Sequence, residues 1–147
     1  MKDLLEKLEK LIVKGRQTII EMDGEILEYK ESEMKWSKKE ILGHLIDSAI
    51  NNLQRFCEVQ FIPEPYEIRK YNQNELVKVN LYQELDIETL LTLWISLNQQ
   101  IVVVTSNIDK KTLDHSIKLD GNVDKTVRWL VVDYIDHMEH HMKQIKE

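Results

Sequence analysis

Apolar residues recur at helical spacing along most of this chain, and that pattern restricts the folds open to it. One side of a helix would carry Leu90, Leu91, Trp94, Leu97 and Ile101. Residues three and four positions apart share a helix face, so such a stripe must be buried against other elements. The β-branched run 101–104 continues the same spacing, and we therefore predict helix rather than strand for it.

The spacing predicts four helices. They run from about Lys2 to Glu31, from Ser37 to about Val59, from after Asp86 to about Asn107, and from after Asp124 almost to the C-terminus. Gly15 and Gly24 weaken the first helix and mark points where it would bend. The second has the clearest start, because Ser37 and Glu40 match a capping box.

No convincing strand pattern covers much of the chain. Two long connections separate the helices: one contains both prolines, Pro63 and Pro65, and the other contains the turn Asp120-Gly121-Asn122. Four amphipathic helices of this length bury their stripes most simply in an up-down four-helix bundle. We therefore predict an all-α fold, with residues 1–147 as one domain and a long connection between helices 2 and 3.

Composition excludes several function classes. The net charge of −6 argues against a nucleic-acid partner, since phosphate binding needs clustered lysine and arginine. Cys57 is the one cysteine, so the chain can form no internal disulfide and a reducing compartment is expected. The N-terminus lacks the apolar segment of a signal peptide, and no stretch looks long and apolar enough to span a membrane. We expect a cytoplasmic protein.

Two histidines near the C-terminus suggest a metal site. His137 and His141 are four residues apart, so on a helix their Cβ atoms would be roughly 5–6 Å apart on one face. Two such rings can reach one cation, but a site needs another ligand, for which His44 is the candidate. Gly43 beside it, in mid-helix, suggests close approach of another group. Alternatively, the pair complements the helix dipole and His44 is a structural residue.

Other residues near these histidines allow two interpretations each. Asp47 and Asp133 lie one turn from His44 and His137, where they would orient imidazoles or be ordinary solvated carboxylates. His140 falls on the polar side of its helix, and His115 lies on a loop without a partner. Cys57 has no neighbouring base, which favours a buried thiol over a nucleophile.

Three segments together resemble a known family. The second-helix segment 36–48, the stretch 71–77 and the closing segment 134–145 are similar to the corresponding parts of the DinB/YfiT-like superfamily. The resemblance implies a four-helix bundle, usually a homodimer, that holds one divalent metal on three histidines. Carried over by position, these ligands are His44, His137 and His141. The metal is left open among zinc, nickel, iron and manganese, which all accept imidazole.

The resemblance also implies a type of function. Members of this superfamily include bacillithiol-type thiol S-transferases and metal-dependent hydrolases, so we expect a metal-dependent enzyme with a small-molecule thiol or electrophile as partner. Asp47 or Asp133 would assist proton transfer, and Arg55, Arg69 and Tyr71 would meet an anionic thiol cofactor. The alternatives are a dimeric metal-binding bundle without turnover, which would serve a stress-related or interaction role, and a metal-free interaction module.

Overall fold

Four long helices form the body of the protein. A computed structural model describes residues 1–147. Its helices are α1 (Lys2–Ile20), α2 (Gly24–Glu28), α3 (Lys38–Glu58), α4 (Gln73–Val79), α5 (Ile87–Ser106), α6 (Lys110–Leu113) and α7 (Val127–Lys146), with a 3-10 turn at Tyr82–Glu84. The predicted all-α four-helix bundle is confirmed by α1, α3, α5 and α7, which enclose one apolar core.

The order and direction of the four helices follow from their contacts. Helix α1 packs mainly on α5 and α7, and α3 packs on the same two, so α1 and α3 lie diagonally opposite. Lys7 pairs with Asp136 and Glu139, and further along both helices Gly15 lies against Met142, so α1 and α7 run in the same direction. Ser37 donates a hydrogen bond to Gln83, so α3 and α5 start at the same end. The directions are therefore up, down, down, up, so the four helices form the expected bundle without strictly alternating in direction.

This arrangement explains the long connection between α3 and α5. Two parallel neighbours cannot be joined by a tight turn, so the chain must return along the bundle between them. The predicted connection is confirmed, and it carries α4 and the 3-10 turn. Both pack against α3 and cover its outer side near His44.

The first predicted helix is interrupted. One helix was expected from Lys2 to Glu31, but α1 ends at Ile20 and α2 begins at Gly24, so the bend lies at one of the two expected glycines. Gly15 stays helical because it makes room for other helices: a Cβ there would lie 2.5 Å from Met142 and 2.7 Å from Trp94. At this position the glycine serves packing and not bending.

The other helix starts depend on side-chain caps. Ser37 Oγ accepts from the Glu40 N–H at 3.0 Å, and the Glu40 carboxylate accepts from the Ser37 N–H at 2.9 Å, so the capping box is confirmed. Asp86 caps α5 by accepting from the Thr89 N–H at 3.0 Å. The β-branched run 101–104 is helical, as expected.

A small sheet corrects the prediction for the second long connection. The strands are β1 (Tyr66–Glu67), β2 (Ser116–Leu119) and β3 (Asn122–Thr126), with β1 parallel to β2 and β2 antiparallel to β3. The predicted turn is present, and Asp120 and Gly121 adopt positive φ values of 52° and 80° there. These strands are too short to show an alternating pattern. Because β3 extends to Thr126, the last helix begins later in the sequence than predicted. It starts at Val127, with Thr126 as its cap, instead of directly after Asp124.

Helix α5 is more apolar than expected. By length and composition it could cross a membrane, with a mean hydropathy of 1.3, so the expectation that no stretch qualifies is wrong. Core helices of soluble proteins meet the same criteria. Here α5 packs on both α1 and α3, and Trp94 and Ile101 are fully buried in the centre of the bundle.

Candidate metal centre

Three histidines from two remote segments meet between α3 and α7. His44 lies in the second turn of α3, and His137 and His141 lie one turn apart on α7. One ring nitrogen of each residue lies within 4.8 Å of the other two, and the Nε2 atoms of His44 and His137 are 3.0 Å apart. The antiparallel packing of α3 against α7 brings the start of one helix to the end of the other.

The donor set suits a divalent cation. Two nitrogens that each bind one metal at about 2.0–2.1 Å can be at most about 4.2 Å apart. The Nε2 atoms of His44 and His137, 3.0 Å apart, are within this limit. His141 Nδ1 lies 2.7 Å from the Gln144 side-chain oxygen, and as a donor there it leaves Nε2 with a free lone pair. His44 Nδ1 is buried without a partner. Three imidazoles with one ring so oriented are what a metal site requires.

Burial keeps these imidazoles neutral. It lowers the pKa of His44 to about 3, with further lowering from the nearby His137 and His141. Burial, followed by repulsion from His141 and His140, lowers the pKa of His137 to about 4. The pKa of His141 is lowered as well, mainly by burial. Neutral imidazole is the form that binds metal, so the cluster is ready for a cation at neutral pH.

Trp36 and Gly43 shape the surroundings of His44. The Trp36 ring lies 4.9 Å from the His44 ring, centroid to centroid, and His44 is completely buried. On the other side, Gly43 lets the Tyr82 ring press directly against the α3 backbone, where a Cβ would collide with ring atoms. The predicted close approach at this mid-helix glycine is therefore present, and its partner is Tyr82.

Tyr82 leads to a buried carboxylate. Asp47 Oδ1 accepts from the Tyr82 hydroxyl at 2.6 Å and from the Asn80 amide at 3.0 Å, and the residue is 2% exposed. Its Oδ2 is buried without a partner. Burial raises the pKa of Asp47, and the two hydrogen bonds oppose this rise. Asp47 is thus fixed one helical turn from His44, with one oxygen uncommitted.

A cavity opens beside His137. It has a volume of about 350 Å³, and its wall includes His137, Arg55, Tyr71 and Lys70. Arg55 lies over the Tyr71 ring, with the guanidinium carbon 5.6 Å from the ring centroid. Because His137 belongs to the histidine cluster and also lines the cavity, the cavity connects the cluster with the surface.

Comparisons with known proteins agree with this fold and cluster. The family model for the DinB superfamily matches residues 14–145. The chain belongs to the DinB superfamily. A relative from Oceanobacillus iheyensis, provisionally named as a metal-dependent hydrolase, is 23% identical over 142 residues, covering 97% of this chain and 81% of the relative.

A solved structure has the same fold. YfiT from Bacillus subtilis, described as a probable metal-dependent hydrolase with an unusual four-helix bundle topology, superposes with a TM-score of 0.85 at 19% identity. The match covers 98% of this chain and 82% of YfiT. At this identity the likeness establishes the fold, and it confirms the YfiT-like bundle expected from the sequence.

The remaining predicted site residues are less closely grouped. Asp133 lies at the surface, one turn before His137, and its carboxylate bonds to no imidazole. Partial desolvation beside the helix, followed by repulsion from Asp136, raises its pKa, and Arg55 opposes this rise. Arg55 and Tyr71 lie at the cavity, whereas the Arg69 side chain is exposed and only its carbonyl oxygen reaches Arg55. The roles assigned to these residues stay predictions.

Sequence reasoning missed the residues that surround the cluster. Tyr82 and Asn80 hold Asp47, and neither belongs to a recognisable motif. Gln144, which orients His141, lies within the closing segment 134–145, but no role was predicted for it. The mid-helix glycine was the one available signal, and it indicated contact without identifying the partner. His140 is exposed beside His141, at a centroid distance of 5.1 Å, and His115 lies two residues after the end of α6, outside the cluster.

Proposed function

We propose that this DinB-family protein is a divalent-metal-dependent enzyme whose His44, His137 and His141 hold the cation and whose substrate enters through the cavity at His137. One observation carries the proposal: three imidazoles from two helices have ring nitrogens within 4.8 Å of one another. Burying imidazole nitrogens together costs free energy unless they gain a compensating partner, and a shared cation would be such a partner.

The number of ligands supports catalysis over a purely structural role. Structural zinc sites have four protein ligands, whereas catalytic ones have three and leave a position open. A divalent cation in such a site acts as a Lewis acid and makes water or a thiol a better nucleophile at neutral pH. The cavity beside His137 offers space for a substrate next to that position.

The protein's own residues have distinct proposed tasks. Gln144 orients His141 through its ring Nδ1, and Trp36 excludes water from one face of His44. Asp133, at the surface one turn from His137, would accept a proton from the nucleophile or return it to the leaving group. Asp47 is held by Tyr82 and would position α3 near His44 more than move protons.

Two nucleophiles fit this site. The relative from Oceanobacillus and YfiT are both named as metal-dependent hydrolases, which favours water and a hydrolytic reaction. The resemblance of segments 36–48, 71–77 and 134–145 to the DinB/YfiT-like superfamily favours a low-molecular-weight thiol such as bacillithiol, added to an electrophile. Both reactions require the same histidine cluster, so one set of variants tests them together.

The experiment measures metal content and turnover in untagged protein. Ester and amide substrates are tested alone, and electrophiles are tested with and without bacillithiol, before and after a chelator. We expect about one equivalent of divalent metal and a chelator-sensitive activity. His44→Ala should abolish both the metal content and the activity. The matched control is His140→Ala, which changes an exposed histidine outside the cluster and should leave both unchanged.

Activity that survives both chelation and His44→Ala would overturn the proposal. Stoichiometric metal without turnover would instead support a non-catalytic dimeric bundle. Cobalt-substituted protein separates the two cases, since an open coordination position responds spectroscopically to added thiol or azide. Absence of metal in native protein, with no uptake on addition, would favour the metal-free interaction module.

A further inference from the structure

Arg55 is a half-buried cation without a carboxylate partner. No carboxylate oxygen lies within 4.0 Å of its guanidinium, unlike Lys70, which pairs with Asp120, and Arg128, which pairs with Asp114. Asp133 attracts Arg55 only from beyond that distance. A charge removed from water without a counter-ion is costly, so its retention at this position calls for a reason.

The guanidinium is held in place by neutral groups. One terminal nitrogen donates to the Asn52 side-chain oxygen at 3.3 Å, and the other donates to the Arg69 carbonyl oxygen at 2.7 Å. Tyr71 covers its face. Arginine has five N–H donors, so these two bonds leave three for another acceptor. Burial lowers the pKa of Arg55, but guanidinium remains charged at physiological pH.

The cavity beside Arg55 has both polar and apolar walls. Its apolar surface comes from Tyr71, Ile68 and Leu119. Arg55 and His137 line the same cavity and contribute polar groups to it. Lys70 also lines it, but its ammonium group is paired with Asp120. A ligand that fills this cavity would pack its apolar part against Tyr71, Ile68 and Leu119 and would place an anionic group next to the Arg55 guanidinium.

We infer that Arg55 is the anchor for the carboxylate of a small molecule with a short apolar body, bound in the cavity beside His137. The inference deepens the proposed function, since this carboxylate would belong to the substrate or to its thiol partner. Guanidinium and carboxylate form paired, charge-assisted hydrogen bonds, which fix the orientation of the bound molecule as well as its affinity. Arg55 then determines specificity, and the histidines determine the chemistry.

The test uses a matched pair of probes on chelator-treated protein. Hexanoate and its neutral amide, hexanamide, differ in charge but not in apolar length. Binding is measured by titration calorimetry and by NMR signals of Tyr71 and His137, with the metal removed so that the carboxylate cannot bind to it. We expect hexanoate to bind roughly tenfold or more tightly than hexanamide, and to shift those signals.

Variants then assign the effect to Arg55. Arg55→Gln should weaken hexanoate binding roughly tenfold to hundredfold, with little effect on hexanamide. Arg128→Gln is the matched control, because Arg128 is an arginine that pairs with Asp114 and does not line the cavity. Lys70→Gln should have a smaller effect than Arg55→Gln because Lys70 already has Asp120 as its partner.

The outcomes separate this inference from the proposed function. Equal binding of the two probes, binding of neither, or an unchanged hexanoate affinity in Arg55→Gln would overturn the carboxylate anchor. None of these results concerns the metal, which elemental analysis measures independently. If Arg55→Gln does not fold, the comparison of hexanoate with hexanamide on the unaltered protein still decides.

The last arm identifies the source of the carboxylate. Metal-loaded protein is assayed with carboxylated and neutral versions of the same ester, and with carboxylated and neutral thiols. A preference for the carboxylated ester assigns the anchor to the substrate, and a preference for the carboxylated thiol assigns it to the thiol partner. If Arg55→Gln leaves every preference unchanged, Arg55 does not act as a specificity residue.

Discussion

At the scale of single residues, the histidine cluster makes stability depend on pH. The folded protein disfavours protonation of His44 and His137, whose pKa values are about 3 and about 4, compared with about 6.5 in the unfolded chain. As the pH falls below 6.5, the unfolded state takes up protons that the folded state does not. The free energy of unfolding should therefore decrease between about pH 6.5 and pH 4.

This prediction is tested by urea unfolding of chelator-treated protein at pH 7 and pH 5. We expect a lower midpoint at pH 5, and a smaller difference in the double variant His44→Gln/His137→Gln. The carboxyl groups of Asp47 and Asp133 have raised pKa values and act in the opposite direction, so the variant comparison isolates the histidines. A pH difference that the double variant retains in full would contradict the prediction.

Gly43 is a second residue whose effect can be predicted. Alanine normally gains about 1 kcal/mol over glycine within a helix. At position 43, however, a methyl group would collide with the Tyr82 ring, and relieving such overpacking costs about 1–3 kcal/mol. We expect Gly43→Ala to destabilise the protein in thermal unfolding. Gly24→Ala is the control: its methyl group meets no atom within 4 Å, so no loss is expected.

The displaced ring should also disturb Asp47. Tyr82 donates to Asp47 from its position against Gly43, so Gly43→Ala should weaken that bond as well as the packing. The variant Tyr82→Phe keeps the aromatic ring and removes only the hydroxyl. If both variants reduce metal affinity while Gly24→Ala does not, Gly43, Tyr82 and Asp47 together position the start of α3.

At the scale of secondary-structure elements, the capping box of α3 has more than a local effect. Ser37 satisfies the Glu40 N–H and also donates to Gln83, so it fixes both the start of α3 and the end of the long connection. Ser37→Ala should cost about 1 kcal/mol or more of unfolding free energy. It should also weaken metal binding, because His44 lies only seven residues into the capped helix.

The matched comparison is Asn72→Ala, which removes the cap of the short helix α4. Asn72 accepts from the Glu75 N–H at 3.2 Å on the surface of the protein. We expect it to change stability less than Ser37→Ala and to leave metal affinity unchanged, as measured by chemical denaturation and metal titration. An equal effect of the two cap variants on metal affinity would show that the α3 cap has no special part in the site.

At the scale of the whole molecule, a bound metal would join two helices that are remote in sequence. Binding to the folded state alone stabilises by about 2.7 kcal/mol when free metal is one hundred times the Kd. We expect added zinc or nickel to raise the Tm of the chelator-treated protein. His141→Ala should remove most of this rise, while His115→Ala, outside the cluster, should preserve it. An equal rise in both variants would mean that the metal binds elsewhere.

The homodimer implied by the family resemblance stays a prediction, and the outer face of α5 is where we expect it. No charged residue occurs from Thr89 to Ser106, although 31% of the chain is charged. Leu93 and Val103 on this face are 42% and 54% exposed. A face without charge can meet a copy of itself without repulsion, whereas other surfaces of a chain with a net charge of −6 cannot do so as readily.

Light scattering on purified protein tests this expectation. The unaltered protein should have twice the mass of one chain, and Leu93→Lys/Val103→Lys should reduce it to a monomer, because a two-fold interface meets each new charge twice. Val13→Lys is the control, on the exposed and charged face of α1. A dimer that survives the double variant would place the interface on another face.

The family and the helices were predictable from the sequence to different extents. Helix caps and apolar stripes depend on residues three or four apart, so they gave the starts of α3 and α5 and the bundle itself. Gly24 indicated a bend in the first helix but not a full break after Ile20, and the strands near Gly121 were missed because they are short and their local pattern is weak. Only the family resemblance linked His44 firmly to the C-terminal pair.

The sequence by itself determined where the main helices lie and which histidines share a turn of α7, because hydrogen bonds within a helix are local. The tertiary structure alone decided that α3 and α5 run in parallel, that Tyr82 fills the space at Gly43, and that Arg55 lacks a carboxylate partner. These features depend on contacts between segments far apart in the chain. No periodicity records such contacts, since they arise only when the helices pack around one core.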